Sequence, residues 1–309
     1  MRIVFIATGE IALPAFRHLL ADGPKPLALV TQPDKRVGRK MKVMPPRIKV
    51  EALSAGIPVL QPEVIDDIAN ELRDLQPELL MVMAYGQILK GAILDLPCTG
   101  IVNLHASLLP KYRGAACIQA AIDAGDVYTG VCAQHIVRKL DAGDLIHSKS
   151  IAIAPNETGG SLHDKLSELA VSVMVETLHM LEGGHATRTV QDEEQVSYIG
   201  KLGRNDGRLD WSQSATELER RIRAYDPWPG TYTMVEVAGA NKRLKVFPPT
   251  KVTKKDLTVG EILVEEGRLF VGTGAKGAEA LELTSIQPEG SKRMVVSDYL
   301  LGRKPERLV

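Results

Sequence analysis

The chain has few cysteines: three in 309 residues, Cys98, Cys117 and Cys132. None forms a Cys-x-x-Cys, and they fit small buried thiols in a reducing cytoplasm better than a disulfide frame or a zinc site. No apolar run approaches the roughly 18 residues that a membrane-spanning helix needs. The first residues also lack the form of a secretory leader, so a cytoplasmic protein is expected. Net charge is absent as well, with 38 Lys and Arg against 38 Asp and Glu. That balance rules out no nucleic-acid partner; it means that any basic footprint must be local. Gly-x-Gly-x-x-Gly is missing: Thr8-Gly9 alone follows the first apolar run, so a dinucleotide site is not expected. There is no internal repeat. His163, His179 and His185 have no partners at ligand spacing, and His135 and His147 read as packing or surface residues, so no metal is expected.

What is present is an alternation. Residues 2–7, 27–30, 57–60, 79–83 and 101–104 are short apolar runs, and residues 12–21 and 64–75 between them carry helical periodicity. This pattern predicts an α/β fold with a Rossmann-like, doubly wound parallel sheet. Residues 162–181 read as one long amphipathic helix ended by Gly183-Gly184. Residues 185–203 are polar and without apolar periodicity, and read as a linker. A helical stretch at 215–224 and five β-like runs at 231–237, 243–247, 260–264, 268–273 and 280–286 then predict a small C-terminal β-barrel of the OB type. The expected division is 1–184, linker 185–203, and 204–309.

The residues with the most chemical promise lie at the end of the run Gly100–Leu104. Asn103 and His105 are two apart, so their side chains leave the same face of a strand. The carboxyl end of a buried strand is where open α/β sheets place ligands. Thirty-eight residues on, Asp141 sits among turn-forming small residues ahead of another apolar run. An amide, an imidazole and a carboxylate make an acid/base and oxyanion-stabilising set. Spacing alone leaves this open against a merely structural Asn-x-His pair. Residues 34–49 form the second notable stretch, with Lys35, Arg36, Arg39, Lys40, Lys42, Arg47 and Lys49 against the single acid Asp34. Gly38 and Pro45-Pro46 argue against a regular element. The stretch reads either as a solvated loop or as an arm attracted to phosphates.

Asn103-Leu-His105, the run Ser107–Gly114 (SLLPKYRG) and Leu140-Asp-Ala-Gly-Asp144 resemble the signatures of the 10-formyltetrahydrofolate-dependent formyltransferases. The resemblance implies that Asn103, His105 and Asp141 are catalytic and that Ser107, Leu108, Leu109 and Pro110 hold the folate through backbone groups. It makes 10-formyltetrahydrofolate the co-substrate. Within the family, members acting on initiator methionyl-tRNA carry a similar basic insertion. This implies a tRNA contact through Lys35, Arg36, Arg39, Lys40 and Lys42. A monomer is expected. Asp210-Trp211, Pro227-Trp-Pro-Gly230, Ile286-Gln-Pro-x-Gly290 and Arg307-Leu-Val309 resemble the C-terminal domain of those members, so the likeness covers nearly the whole chain. Lys242, Arg243, Lys245, Lys251, Lys254 and Lys255 are candidates for a phosphate-facing surface there. Three positions depart from the pattern: Ala7–Ile11, Cys132 in place of a common Thr, and Cys117 in place of the usual Pro, where the start of the next helix is affected. An amino sugar nucleotide as acceptor, and a tRNA- or folate-binding protein without catalysis, are the other readings.

Overall fold

The computed structural model describes all residues except 39–40, 97–99, 275–278, 303–304, 306 and 309. Arg39, Lys40, Cys98 and Val309 therefore lie outside the described residues. Up to residue 199 the elements are β1 (Ile3–Ala7), α1 (Leu13–Ala21), β2 (Ala28–Val30), β3 (Lys35–Val37), β4 (Lys42–Met44), α2 (Arg47–Ser54), β5 (Val59–Leu60), α3 (Ala69–Asp74), β6 (Leu79–Met83), α4 (Gly91–Leu94), β7 (Gly100–His105), β8 (Arg113–Gly114), α5 (Cys117–Ala124), β9 (Tyr128–His135), β10 (Leu145–Ala152), α6 (Gly159–Glu182) and β11 (Tyr198–Ile199).

β1 and β6 are buried at every residue, as continuous apolar runs in a sheet covered on both faces must be. They anchor a seven-stranded sheet of order β10-β9-β7-β6-β1-β2-β5. β5, β2, β1, β6 and β7 run parallel, as expected. β9 does not: it pairs antiparallel with β7, so the sheet is mixed. Its register sets Asn103 opposite Gln134 and His105 opposite Cys132. These four side chains therefore share one face.

The basic stretch corrects one expectation. β3 and β4 form an antiparallel hairpin with Arg36 opposite Val43, so a regular element is present. Gly38, read from sequence as a breaker, takes φ +72° and its carbonyl accepts from the Met41 N–H, which is what a hairpin turn requires. Pro46 precedes α2 rather than ending structure. Arg113 and Gly114 form β8, parallel to β11, and the next helix begins at Cys117.

Two compact units emerge. The first holds Met1–Cys117, Tyr128–Ile151 and His163–Ile199; the second holds Ile118–Val127, Ala152–Leu162 and Gly200–Val309. Residues 185–199, expected as linker, thus belong to the first unit. They are fastened by hydrogen bonds between Leu145 and Thr189 and by the β8–β11 pair, polar ties that leave no apolar period in the sequence.

The second unit contains α7 (Ala215–Ala224), β12 (Thr231–Val237), β13 (Ala240–Thr253), β14 (Ile262–Glu265), β15 (Arg268–Thr273), β16 (Glu279–Pro288), β17 (Met294–Val295), α8 (Val296–Gly302) and β18 (Arg307–Leu308). Ser214 and Glu217 cap α7 reciprocally, and Ala215, Leu218 and Ile222 face a core with Leu244, Val246, Leu283 and Ile286. The strands order β14-β15-β16-β13-β12-β18, a nearly closed antiparallel barrel. Its edges come together: a Cβ built on Gly260, just before β14, would sit 3.7 Å from Leu308 of β18. At that seam lies an open cavity of ≈ 830 Å³ lined by Arg208, Asp210, Trp211, Thr233, Glu261 and Arg307, among others. Of the six basic residues expected to form one surface, Lys242, Lys245, Lys251 and Lys254 are exposed. Arg243 instead stacks 3.7 Å over the Tyr232 ring, and Lys255 pairs with Glu265 beside Phe270.

Candidate functional site

β7 ends in Asn103 and His105, and the chain turns at once through Ser107–Pro110. Ser107 is fully buried, and its hydroxyl donates to the Lys111 carbonyl at 2.7 Å, so it shapes the turn. The Lys111 N–H closes the same turn on the Leu108 carbonyl. Segment 197–199 clamps the loop: Tyr112 N–H donates to the Ser197 hydroxyl, Arg113 N–H to the Ser197 carbonyl, and Ala115 N–H to the Ile199 carbonyl. Gly114 allows this approach. It takes φ +113°, and a Cβ there would lie 2.2 Å from the Ile199 oxygen.

Asp141 arrives from the loop after β9 with φ +48°. Its Oδ2 accepts from the Gly114 N–H at 2.8 Å, and its Oδ1 accepts from Gln134 Nε2 at 3.0 Å and Asn103 Nδ2 at 3.5 Å. His105 Nδ1 stands 3.8 Å from Oδ2. The three residues singled out in the sequence therefore meet around one carboxylate. Gly143 sets the loop: a Cβ on it would fall 1.7 Å from the His135 carbonyl oxygen.

His105 Nε2 lies 2.9 Å from the Tyr112 carbonyl. A carbonyl only accepts, so Nε2 carries a proton and Nδ1 faces Asp141. Burial works against a charged ring here. The Cys117 sulfur, which hydrogen-bonds the ring, then Asp141 and the Tyr112 carbonyl outweigh burial and raise the pKa to about 9. The imidazolium form is favoured at neutral pH. Cys117 thus does more than begin α5. Cys132, across the strand pair from His105, is pushed up to about 11 by burial, although a Leu109 backbone bond opposes that shift. Both thiols are buried.

Sequence reasoning missed part of the site. Arg113, quoted there only within a motif, is fully buried, and its guanidinium donates to Gln191 Oε1 at 3.1 and 2.9 Å, to Glu193 at 2.9 Å and to the Tyr198 hydroxyl at 3.2 Å. Gln191 Nε2 donates to the carbonyls of Asp141 (2.9 Å) and Gly143 (2.7 Å) and to Gln134 Oε1 (3.2 Å). Gln134 shows in the sequence only as a lone amide in a buried strand, and Gln191 lies in the polar stretch that reads as a linker. The hairpin residues Lys35, Arg36 and Lys42 are exposed on β3 and β4. Their side chains are not part of the hydrogen-bonded network around Asp141.

The chain is similar to known proteins. A family model described as formyl transferase matches residues 1–178, and its C-terminal domain model matches residues 201–304. The methionyl-tRNA formyltransferase of Akkermansia muciniphila is 47% identical over 310 residues, covering 98% of this chain and 96% of that protein. Among solved structures, the N-formyltransferase from Helicobacter canadensis, in complex with folinic acid and dTDP-3-aminofucose, superposes with a TM-score of 0.66 at 17% identity, covering 92% of this chain and 99% of that one. HypX from Aquifex aeolicus, solved with tetrahydrofolic acid, gives 0.60 at 18% identity, and this chain spans 50% of its length and is covered completely. These two likenesses are of fold alone. With family models over both regions and a relative this similar from end to end, the chain belongs to the formyl transferase family.

Proposed function

We propose that this chain transfers the formyl group of 10-formyltetrahydrofolate to the α-amino group of methionyl initiator tRNA, and that Asn103, His105 and Asp141 carry the reaction. The observation that carries the reading is the convergence of those three side chains at the end of β7, in a chain whose end-to-end relative bears that name.

The attacking amine must be neutral, and an α-amino group titrates near roughly 7.7–8, so a useful fraction is ready at working pH. Addition to the formyl carbon creates a C–N bond and a tetrahedral oxyanion. Asn103 has two amide N–H groups, of which Asp141 takes one through a long 3.5 Å contact, and the other is directed to the oxyanion. His105 supplies positive charge; its Nδ1–H, 3.8 Å from Asp141, turns to the same oxygen. Asp141 orients the imidazolium and helps carry the proton from the new ammonium to the departing N10, whose bond to the formyl carbon then breaks. In this scheme the turn Ser107, Leu108, Leu109, Pro110 holds the folate through backbone groups.

We assign the chemistry to residues 1–184 and acceptor contacts to two basic surfaces. One is the hairpin with Lys35, Arg36 and Lys42, with Arg39 and Lys40 between them in sequence; the other is drawn from the exposed lysines Lys242, Lys245, Lys251 and Lys254 of the C-terminal region, 204–309. Exposed cations of this kind suit phosphates, with salt-sensitive and sequence-independent affinity. A monomer working in the cytoplasm fits the reading. The test is formyl transfer to charged initiator tRNA at low and high salt. Transfer that weakens steeply with salt is expected; transfer only to an amino sugar nucleotide would replace the acceptor and return the hairpin to a solvated surface.

A further inference from the structure

Arg113, Gln191, Gln134 and Asp141 form a hydrogen-bonded chain with one possible direction. A guanidinium has donors and no acceptor, so Gln191 must turn its Oε1 toward Arg113, as the 3.1 and 2.9 Å contacts show. Its amide nitrogen then faces the Asp141 and Gly143 carbonyls and Gln134 Oε1. Gln134 has its oxygen engaged and can present only N–H to Asp141 Oδ1, at 3.0 Å. The terminal amides of both glutamines, ordinarily free to flip, are polarised by one buried cation. β8 closes the circuit: Arg113 starts the chain, and the next residue, Gly114, donates its backbone N–H to the other oxygen of the same carboxylate. Gln134 and Gln191 are both buried. Neither is among the side chains directed at the reacting atoms above.

We infer that Gln134 and Gln191 are positioning residues for the transfer reaction, a one-way relay from Arg113 that aims the Asp141 carboxylate at His105. This rests on the reading of Asn103, His105 and Asp141 as the reacting set. Three donors on one carboxylate fix its rotamer. The groups facing His105 are Asp141, the Cys117 thiol and the Tyr112 carbonyl; those facing Asp141 are His105, Asn103, Gln134 and the Gly114 N–H. Without the relay, Asp141 loses one donor and the orientation of its loop.

The test compares Gln134→Met and Gln134→Glu with the wild-type chain by two readouts. One is steady-state formyl transfer to charged initiator tRNA. The other is the NMR titration of the His105 ring, which needs no activity. Gln134→Met removes the donor at nearly constant volume; kcat falls about 10-fold, the rate equivalent of one hydrogen bond to a charged group, with both KM values little changed. The His105 midpoint moves down, because the carboxylate is no longer held beside it. Gln134→Glu keeps the shape and adds a negative charge, so kcat falls again but the His105 midpoint moves up. Opposite shifts mark a positioning role; a residue that only fills space gives none. Gln191→Met should reproduce the Gln134→Met pattern. Unchanged midpoints in whichever of these variants fold, with kcat within twofold, overturn the relay. An inactive wild type whose His105 midpoint still moves in opposite directions would instead overturn the functional reading and leave the relay standing.

Discussion

The strand-end site and the barrel seam use similar side chains and differ in how those side chains are spent. At the seam, Asp210 accepts from the N–H and hydroxyl of Ser212, Trp211 Nε1 donates to Thr233, Glu261 accepts from Thr258, and Arg307 pairs with Glu236. Each of these polar groups is settled with a neighbour, and the ≈ 830 Å³ of open space has no focus. At the strand end, donors from β7, β8 and β9 are aimed at one carboxylate, with a protonated imidazole beside it. Convergence on a single group, rather than the size of a hollow, marks where chemistry is prepared.

Breaking the convergent site gives the largest effect. Asn103→Ala, His105→Ala and Asp141→Ala should each lower turnover at least about 100-fold, the loss typical of one oxyanion donor or proton carrier. Thermal melting of each variant, set beside its rate, separates this from unfolding. A rate within a few-fold of wild type would remove that residue from the scheme.

Asn103 and His105 are legible in the sequence because a strand's period of two puts both on one face. Helix α7 is equally plain, since its stripe of Ala215, Leu218 and Ile222 repeats with the helical period. The antiparallel direction of β9 is not visible there: a buried strand reads the same in either direction. Gln191 is hidden for a different reason. Its role comes from contacts with Arg113, 78 residues away, and local pattern carries no such information. The hairpin escapes because Gly38 and the prolines signal an interruption, and an interruption can equally be a turn or the start of a helix.

A second effect comes from the charge on His105. Its pKa of about 9 in the folded chain lies above the ordinary 6.5. The native state therefore binds that proton more tightly, and the resulting stabilisation is present below pH 6.5 and lost as pH rises through about 9. Transfer should decline over the same alkaline range. Cys117→Ala removes a neighbour that favours the charge, so the alkaline limb of the pH–rate profile should move lower. An unmoved limb would take Cys117 out of the account of His105.

The hairpin sharpens the comparison from the other side, since its cations are exposed and their interactions screened. Lys35→Ala, Arg36→Ala and Lys42→Ala combined should raise KM for the charged tRNA several-fold. They should also lessen the salt dependence, by roughly one unit of slope for each phosphate no longer neutralised. kcat at saturation and melting should stay near wild type. An unchanged salt slope would make the hairpin an ordinary solvated surface. Smallest is the seam. Asp210→Ala removes a local turn interaction, costs about 1 kcal/mol of stability by melting, and leaves formyl transfer unaltered. A loss of turnover there would bring the seam into the reaction.

The central claim is that the Asp141 side chain, oriented beside a protonated His105, drives formyl transfer. Its most direct test is single-turnover transfer from 10-formyltetrahydrofolate to charged initiator tRNA by Asp141→Asn, which keeps the shape and removes the charge. The account predicts a rate at least about 100-fold lower, with melting close to wild type. A wild-type rate in a folded Asp141→Asn chain would contradict it.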